Sequence, residues 1–420
     1  MNVWLRVAQQ DNVTGLQHLP MRFAVRSALA LLLASPLAAQ VPANGVVTIG
    51  TVDSIYSTTL KEQRKYLVYT PPSYRDTTYL PRTYPVLYLL DGDAHFHSVT
   101  GLLQFLGTGI NGTFVVPEMI VIAIPNTDRM RDMSPTHVET GFDGKPAPGM
   151  KTTGGLGNFL QFIKGELIPK VEATYRTAPY RVFVGHSLGG ITAIQALYTI
   201  PETFNAYVAI DPSLWWDNSK MLKEARARLA NPAMNGRTLY VAQANTINAA
   251  DTTVNPHFNG IAQFDGVAKA YKQPGMRYGF HYYDQDDHGS VPLIAEYDAL
   301  HFIFDGYKGN LLATLDRPVS VREHFADISK RLGWAQQPPE SMVDLLGQVA
   351  MANAPDKALD FFRMNVELYP ASPNAHGMLA TALAAKGDKG AAAAEYRKAL
   401  EIAPGRTAWK AALDKLQAAK

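Results

Sequence analysis

Val182-Phe183-Val184-Gly185-His186-Ser187-Leu188-Gly189-Gly190 is the stretch that decides how this chain is read. Arg181 to Val184 carry strand-type side chains, and after Leu188 the apolar residues Ile191, Ile194, Leu197 and Ile200 return at roughly helical spacing. Ser187 therefore stands on a sharp strand-to-helix turn of the form G-x-S-x-G. Its flanking glycines let strand and helix approach without a Cβ clash. A serine hydroxyl at its ordinary pKa is a poor nucleophile, so such a turn does chemistry only where a base reaches it. The alternative is a glycine-rich turn that merely packs, or that cradles a phosphate at the helix N-terminus. That alternative leaves the serine unexplained.

Outward from the turn, the apolar runs 85–90 and 119–124 read as strands buried on both faces. Segments 46–55 and 64–69 read as an N-terminal pair closed by Pro71-Pro72, which makes the serine strand the fifth. Segments 206–210, 238–243 and 277–283 continue as the sixth to eighth, with helical patterns at 97–105, 219–229 and 261–271 between strands. A further amphipathic helix over 159–175, with Pro169 as a kink, delivers the chain to the serine strand. Strands alternating with helices predict an α/β fold with a mostly parallel central sheet covered on both faces, and ligands of such sheets lie beyond the carboxyl ends of the strands. Residues 133–157, rich in Gly, Pro, Thr and Asp, read as a long insertion of a kind that is usually functional or mobile.

The chemistry is therefore sought just after strands. Following the eighth comes Asp284-Gln285-Asp286-Asp287-His288-Gly289-Ser290, where His288 is placed to take the serine proton and return it to a leaving group. A third, carboxylate member is expected after the seventh strand, where the first acid is Asp251. Asp284, Asp286 and Asp287 are local alternatives, and a dyad with Asn245 or a carbonyl holding the imidazole is a further one. The backbone N–H of Leu188, with that of Gly92 or Asp93 after the third strand, is the expected oxyanion pair. Trp215 and Trp216, after the sixth strand, read as an aromatic wall for a substrate, with core packing of at least one as the plainer role. Arg129 and Arg131, after the fourth, read as a grip for an anionic group or as partners of Asp128 and Asp132. The stretch Asp91-Gly92-Asp93-Ala94-His95-Phe96-His97 alternates carboxylates and imidazoles. Side chains on an extended stretch alternate faces, however, and nothing else completes a ligand set, so neither metal nor cofactor is expected.

Composition sets the outer bounds. The chain has 420 residues, 47% of them hydrophobic and 18% charged, which fits one large globular domain and a smaller one. A net charge of +2 with no basic run argues against nucleic acid, and the absence of cysteine excludes disulfides and a thiol nucleophile. Met21 to Arg26 form a basic start, residues 27–34 an apolar core and Ser35-Pro36-Leu37-Ala38-Ala39 a small-residue end, the pattern of a cleaved export signal. The alternative is an amphipathic helix of the mature protein. No stretch is long enough to span a membrane, so an exported protein, periplasmic or secreted, is expected.

Tyr88-Leu89-Leu90-Asp91-Gly92, Gly185-His186-Ser187-Leu188-Gly189-Gly190, Pro212-Ser213-Leu214-Trp215-Trp216 and Asp287-His288-Gly289-Ser290 together resemble the esterase D-like branch of the α/β-hydrolases, on its trilactone-siderophore-esterase side. The resemblance covers roughly residues 45–307. It implies a serine esterase acting on a small-molecule ester, with Ser187 as nucleophile, His288 as base and His186, Trp215, Trp216 and Arg129 near the substrate. An acyltransferase using the same pair, or a catalytically silent scaffold, is the alternative. Beyond Tyr307 the pattern changes. Ala358, Phe362, Arg363, Val366, Glu367 and Pro370 recur 34 residues on as Ala392, Tyr396, Arg397, Leu400, Glu401 and Pro404, the tetratricopeptide period. The expected organisation is a leader over 1–40, an α/β-hydrolase domain over 41–310, a linking helix within 311–335 and helical repeats over 336–420. The repeats stabilise the enzyme or receive a peptide or protein partner.

Overall fold

The computed structural model describes residues 46–108, 114–140, 145–247, 255–310, 313–353 and 355–418. The leader proposed for 1–40 and the candidate acid Asp251 lie outside these residues. Eight strands form one sheet: β1 (Thr51–Ser57), β2 (Glu62–Tyr69), β3 (Tyr84–Leu89), β4 (Ile120–Ala123), β5 (Thr177–His186), β6 (Ala206–Ile210), β7 (Thr238–Ala244) and β8 (Arg277–Tyr283). Their order is β1-β2-β4-β3-β5-β6-β7-β8. The pairs β1/β2 and β2/β4 are antiparallel, and every pairing from β3 to β8 is parallel.

The inner strands are apolar at successive positions because both faces of the sheet are covered. Leu87, Leu89, Val182, Val184, Val208 and Ile210 fill one face, and Val86, Tyr88, Phe183, Tyr207 and Ala209 the other. The first face packs on α1 (Gly92–Gly107) and, through Val291, Ala295, Ala299 and Ile303, on α8 (Val291–Ile303). The second packs on α3 (Leu156–Phe162), α4 (Ile168–Thr174), α5 (Leu188–Thr199), α6 (Trp216–Leu229) and α7 (Pro256–Tyr271). Short α2 (Arg129–Met133) follows β4. The helix expected over 159–175 is helical from Leu156 to Thr174, with a π turn at Ile163–Leu167 just ahead of Pro169. The wider turn absorbs the proline, which has no N–H to give.

The C-terminal part is helical throughout: α9 (Ser320–Leu332), α10 (Glu340–Asn353), α11 (Pro355–Leu368), α12 (Pro373–Ala385), α13 (Lys389–Ile402) and α14 (Thr407–Ala418). Helices α11 and α13 begin and end 34 residues apart, and their matching Ala358/Ala392 and Phe362/Tyr396 pairs are buried. Gln40–Lys420 is one compact body, and the core on the first sheet face runs on without a break through Phe325, Met342 and Phe361. Polar contacts reinforce the join. Tyr79 Oη donates to Asp344 Oδ2 at 3.0 Å and the Leu80 N–H to Glu340 Oε2 at 2.9 Å. Burial raises both carboxyl pKa values above their ordinary range, with the hydrogen bonds opposing it. No helix among the described residues is long and apolar enough to cross a membrane.

Candidate active site

Three backbone specials mark the carboxyl edge of the sheet. Asp91 after β3, Ser187 after β5 and Asp211 after β6 have φ of 50°, 61° and 41°, a left-handed region costly for residues with a Cβ. At Ser187 the conformation (φ 61°, ψ −114°) lifts the hydroxyl off the strand end and starts α5 at the next residue. Close approach of strand and helix makes this possible: a Cβ on Gly185 would lie 2.2 Å from the Gly189 carbonyl oxygen. Gly185→Ala is therefore expected to destabilise the fold by about 3 kcal/mol or more, because backbone and not a flexible side chain must move. Thermal unfolding of the two proteins checks it.

Ser187 Oγ lies 3.1 Å from His288 Nε2. On the far side of the imidazole, Nδ1 is 2.5 Å from Asp211 Oδ2. The chain order is Ser, Asp, His, and the carboxylate on this imidazole follows β6, whereas the sequence pointed to one after β7. Sheet register explains how this works. Ile210 pairs with His186, so the residue after β6 flanks the residue after β5, and the Ser187 N–H donates to the Ile210 carbonyl at 2.9 Å. Strand β6 lies between the serine strand β5 and β7, and β7 in turn neighbours β8, whose following loop carries His288.

Asp211 is fully buried and each carboxylate oxygen is used. Oδ1 accepts the Ala244 N–H at 2.9 Å, and Oδ2 accepts from His257 Nε2 at 2.8 Å as well as from His288. Burial pushes this carboxyl up, but the two histidines and the Ala244 N–H outweigh it and hold the pKa well below the ordinary carboxylate range. The group is an anion at neutral pH. An anionic acceptor at Nδ1 keeps the imidazole proton there, so Nε2 presents its lone pair to the serine.

Two of the local alternatives for the acid, Asp287 and Asp286, have their carboxylates engaged elsewhere. Asp287 Oδ1 accepts the N–H groups of Gly289 and Ser290 at 2.9 Å each, closing the turn that carries His288. Asp286 accepts from Ser290 Oγ at 2.8 Å. Asp284 contributes its carbonyl to Asn245 Nδ2 at 3.0 Å, so Asn245 does not hold the imidazole. Sequence reasoning singles out none of Asp211, His257 and Ser213 as site residues. An acid directly ending an unbroken apolar strand was the available signal for the first. Ser213 Oγ lies 3.2 Å from Ser187 Oγ, and its N–H donates to the Ser187 carbonyl at 3.1 Å.

Two further expectations are corrected. The Gly92 N–H cannot serve an oxyanion, because it is donated to the Ile124 carbonyl at 3.0 Å, which ties the start of α1 to the end of β4. Asp93 is the second residue of α1, where helix N–H groups lack an intrahelical acceptor, and Leu188 is the first residue of α5. Arg131 does pair with Asp132, its Nε donating to Oδ1 at 2.7 Å, but Arg129 neither stands free for an anion nor pairs with Asp128 or Asp132. Its Nε and Nη2 reach Asp91 at 2.7 and 3.0 Å, and Nη2 also donates to the His186 carbonyl at 3.2 Å. Burial raises the Asp91 carboxyl pKa, but Arg129 and Asn126 reverse that and leave it below its ordinary value. This ion pair braces the loop after β3 against the end of β5.

His186 lies beneath the catalytic-type histidine, its ring centroid 4.5 Å from that of His288 and 6.0 Å from that of His95. Burial, with His288 and His95 alongside, brings its pKa down to about 4, so it is neutral at pH 7. Trp216 is core: it is 3% exposed and its Nε1 donates to Thr136 Oγ1 at 3.1 Å. Trp215 is half-buried, with its ring 5.8 Å from that of Trp216. The ligand-type side chains that converge among the described residues are Asp211, His257 and His288, and not the 91–97 stretch.

An eight-stranded, mostly parallel sheet with a serine on the turn after β5 and a histidine after β8 is the α/β-hydrolase architecture. A family model described as "Putative esterase" matches residues 57–284, and the chain belongs to this esterase family. Over 179 residues it is 32% identical to the ferri-bacillibactin esterase BesA of Bacillus subtilis, covering 39% of this chain and 58% of that protein. Over 168 residues it is 36% identical to the siderophore enterobactin esterase of Emericella nidulans, covering 35% and 52%. The chain thus spans between half and three-fifths of these relatives' length. A crystal structure of an IroE-like serine hydrolase from Shewanella oneidensis superposes with a TM-score of 0.68 at 30% identity, covering 76% of this chain and 99% of that one.

Proposed function

We propose that the protein is a serine esterase that cleaves a carboxylic ester through an acyl-enzyme, with a siderophore lactone or related acyl ester as substrate. The observation that carries this reading is the continuous line from Asp211 through His288 to Ser187, with contacts of 2.5 and 3.1 Å. Ser187 Oγ attacks the ester carbonyl as His288 Nε2 takes its proton. Asp211 holds the imidazole in the right tautomer and stabilises the imidazolium that forms. The negative oxygen of the tetrahedral intermediate is met by the backbone N–H groups of Leu188 and Asp93. Collapse expels the alcohol, which receives the proton from His288. Water, deprotonated by the same nitrogen, then releases the acid and restores the serine. Trp215 is read as the apolar wall beside an acyl or phenolic group of the substrate.

The substrate class comes from the relatives that act on bacillibactin and enterobactin. Residues 21–39 are read as an export leader, and the C-terminal helices, which share the sheet's core, as a stabilising part of the enzyme's body. Purified protein is expected to linearise a cyclic trilactone siderophore with kcat/KM of about 10⁴ M⁻¹s⁻¹ or more, and to hydrolyse a short p-nitrophenyl ester at least about tenfold less efficiently. Chromatography of the siderophore products and release of p-nitrophenol measure the two rates. Turnover of the p-nitrophenyl ester alone would remove the siderophore assignment, and turnover of neither would remove the esterase.

A further inference from the structure

The catalytic line uses one of the two imidazoles on Asp211 and leaves the other without a role. His257, at the start of α7, reaches the same Asp211 Oδ2 that His288 contacts. Its ring stands edge-on to the His288 ring, with centroids 5.2 Å apart. One atom from each of the three residues, drawn from the loop after β6, the start of α7 and the loop after β8, falls within 4.8 Å of the other two. The two nitrogens stand 2.8 and 2.5 Å from the shared oxygen.

We infer that Asp211, His257 and His288 form an inhibitory site for a divalent transition-metal ion of the zinc or copper(II) class. Such an ion sits about 2.0–2.2 Å from imidazole nitrogen and carboxylate oxygen, which places tetrahedral ligands roughly 3.3 Å apart. Each nitrogen need part from the shared oxygen by less than about 1 Å to reach that spacing. Two imidazoles and one carboxylate suit zinc and copper(II), whereas magnesium and calcium prefer oxygen ligands. Asp211 supplies the negative charge from a fully buried position, and the His288 side chain, 43% exposed, opens the way in.

The ion stops catalysis through the tautomer of His288. The form of His288 that acts as base carries its proton on Nδ1, toward Asp211. A metal bound at Nδ1 takes that lone pair, so the ring's one proton moves to Nε2, the atom that must accept the serine proton. His257 changes in the opposite sense, with metal on Nε2 and its proton on Nδ1. Ser187 now faces a donor and is no longer activated. The loss of activity rests on the catalytic reading above; the binding of metal does not.

The test has an activity arm and a spectroscopic arm. Micromolar zinc chloride is expected to suppress p-nitrophenyl ester hydrolysis, chelation with EDTA to restore it, and magnesium chloride to leave it unchanged. His257→Gln keeps an N–H donor for Asp211 but removes a ligand. Scored against its own metal-free rate, it is expected to need at least about tenfold more zinc for half-inhibition. In the second arm Ser187→Ala, with all three ligands intact, is titrated with cobalt(II) chloride. A visible absorption band from the bound ion is expected, and it should vanish in Ser187→Ala combined with His257→Gln. Equal zinc sensitivity of wild type and His257→Gln, or no cobalt band in Ser187→Ala, overturns the proposal. A cobalt band in a protein that hydrolyses no ester upholds the metal site and removes the catalytic reading.

Discussion

Asp211→Asn is expected to lower kcat by about 10³- to 10⁴-fold while KM changes little. Asparagine has the size of aspartate, so its carbonyl can keep the Ala244 N–H now bound by Oδ1 at 2.9 Å. Its amide nitrogen then points at His288 Nδ1 as a donor and forces the imidazole proton onto Nε2, where it blocks the base. Folding should survive, because asparagine has the shape of the carboxylate it replaces, still offers hydrogen-bonding groups, and opens no cavity. Asp211→Ala is a different experiment. It leaves two half-buried imidazoles without their acceptor and an orphaned Ala244 N–H, at a cost of about 1–3 kcal/mol for each buried group left unpaired. Steady-state kinetics on a p-nitrophenyl ester, with circular dichroism to confirm the fold, separates the two. An Asp211→Asn enzyme within about threefold of wild type would take Asp211 out of the mechanism.

Ser187→Ala is expected to cost about a millionfold in kcat, the largest effect of any single change here. The substitution removes the atom that forms the acyl bond and leaves His288 and Asp211 in place, so substrate binding should persist. Equilibrium binding of the uncleaved ester to the variant, alongside its rate, shows whether the loss lies in the chemical step. Alanine also loses serine's hydrogen bond to His288 while inheriting a backbone with φ of 61°, so a small fall in melting temperature accompanies the loss of rate.

Much of this architecture is legible in the sequence, for a physical reason. Parallel strands covered on both faces must be apolar at every position, so 85–90, 119–124 and 182–184 stand out without any alternation to decode. The turn at Ser187 is legible because only glycine at 185 permits the approach to Gly189. What the sequence conceals is lateral order. Placing the acid required knowing that β6 lies between β5 and β7 and that Ile210 sits opposite His186. The expectation after β7 pointed to Asp251, which lies outside the described residues, and left unmarked Asp211, the carboxylate that reaches His288.

The beginning of α1 was hidden in the same way. Its first turn, Gly92-Asp93-Ala94-His95, is too polar to show a helical apolar period. Asp91 in the left-handed region starts the helix five residues before the expected 97, which commits the Gly92 N–H to Ile124. Arg129 illustrates the limit of local charge reasoning. Asp128 and Asp132 are near it in sequence, but its partner Asp91 is 38 residues away.

The central claim is that one hydroxyl, Ser187, is activated by His288 and Asp211. Reaction with an alkyl fluorophosphonate followed by peptide mass spectrometry tests it most directly. Ser213 supplies an internal control, since its Oγ is only 3.2 Å from that of Ser187 but has no imidazole of its own. The account predicts a single phosphonyl adduct on Ser187, absent from Ser187→Ala, retained in Ser213→Ala and formed far more slowly in Asp211→Asn. An adduct on Ser213, or a wild-type protein that takes up no label, would contradict it.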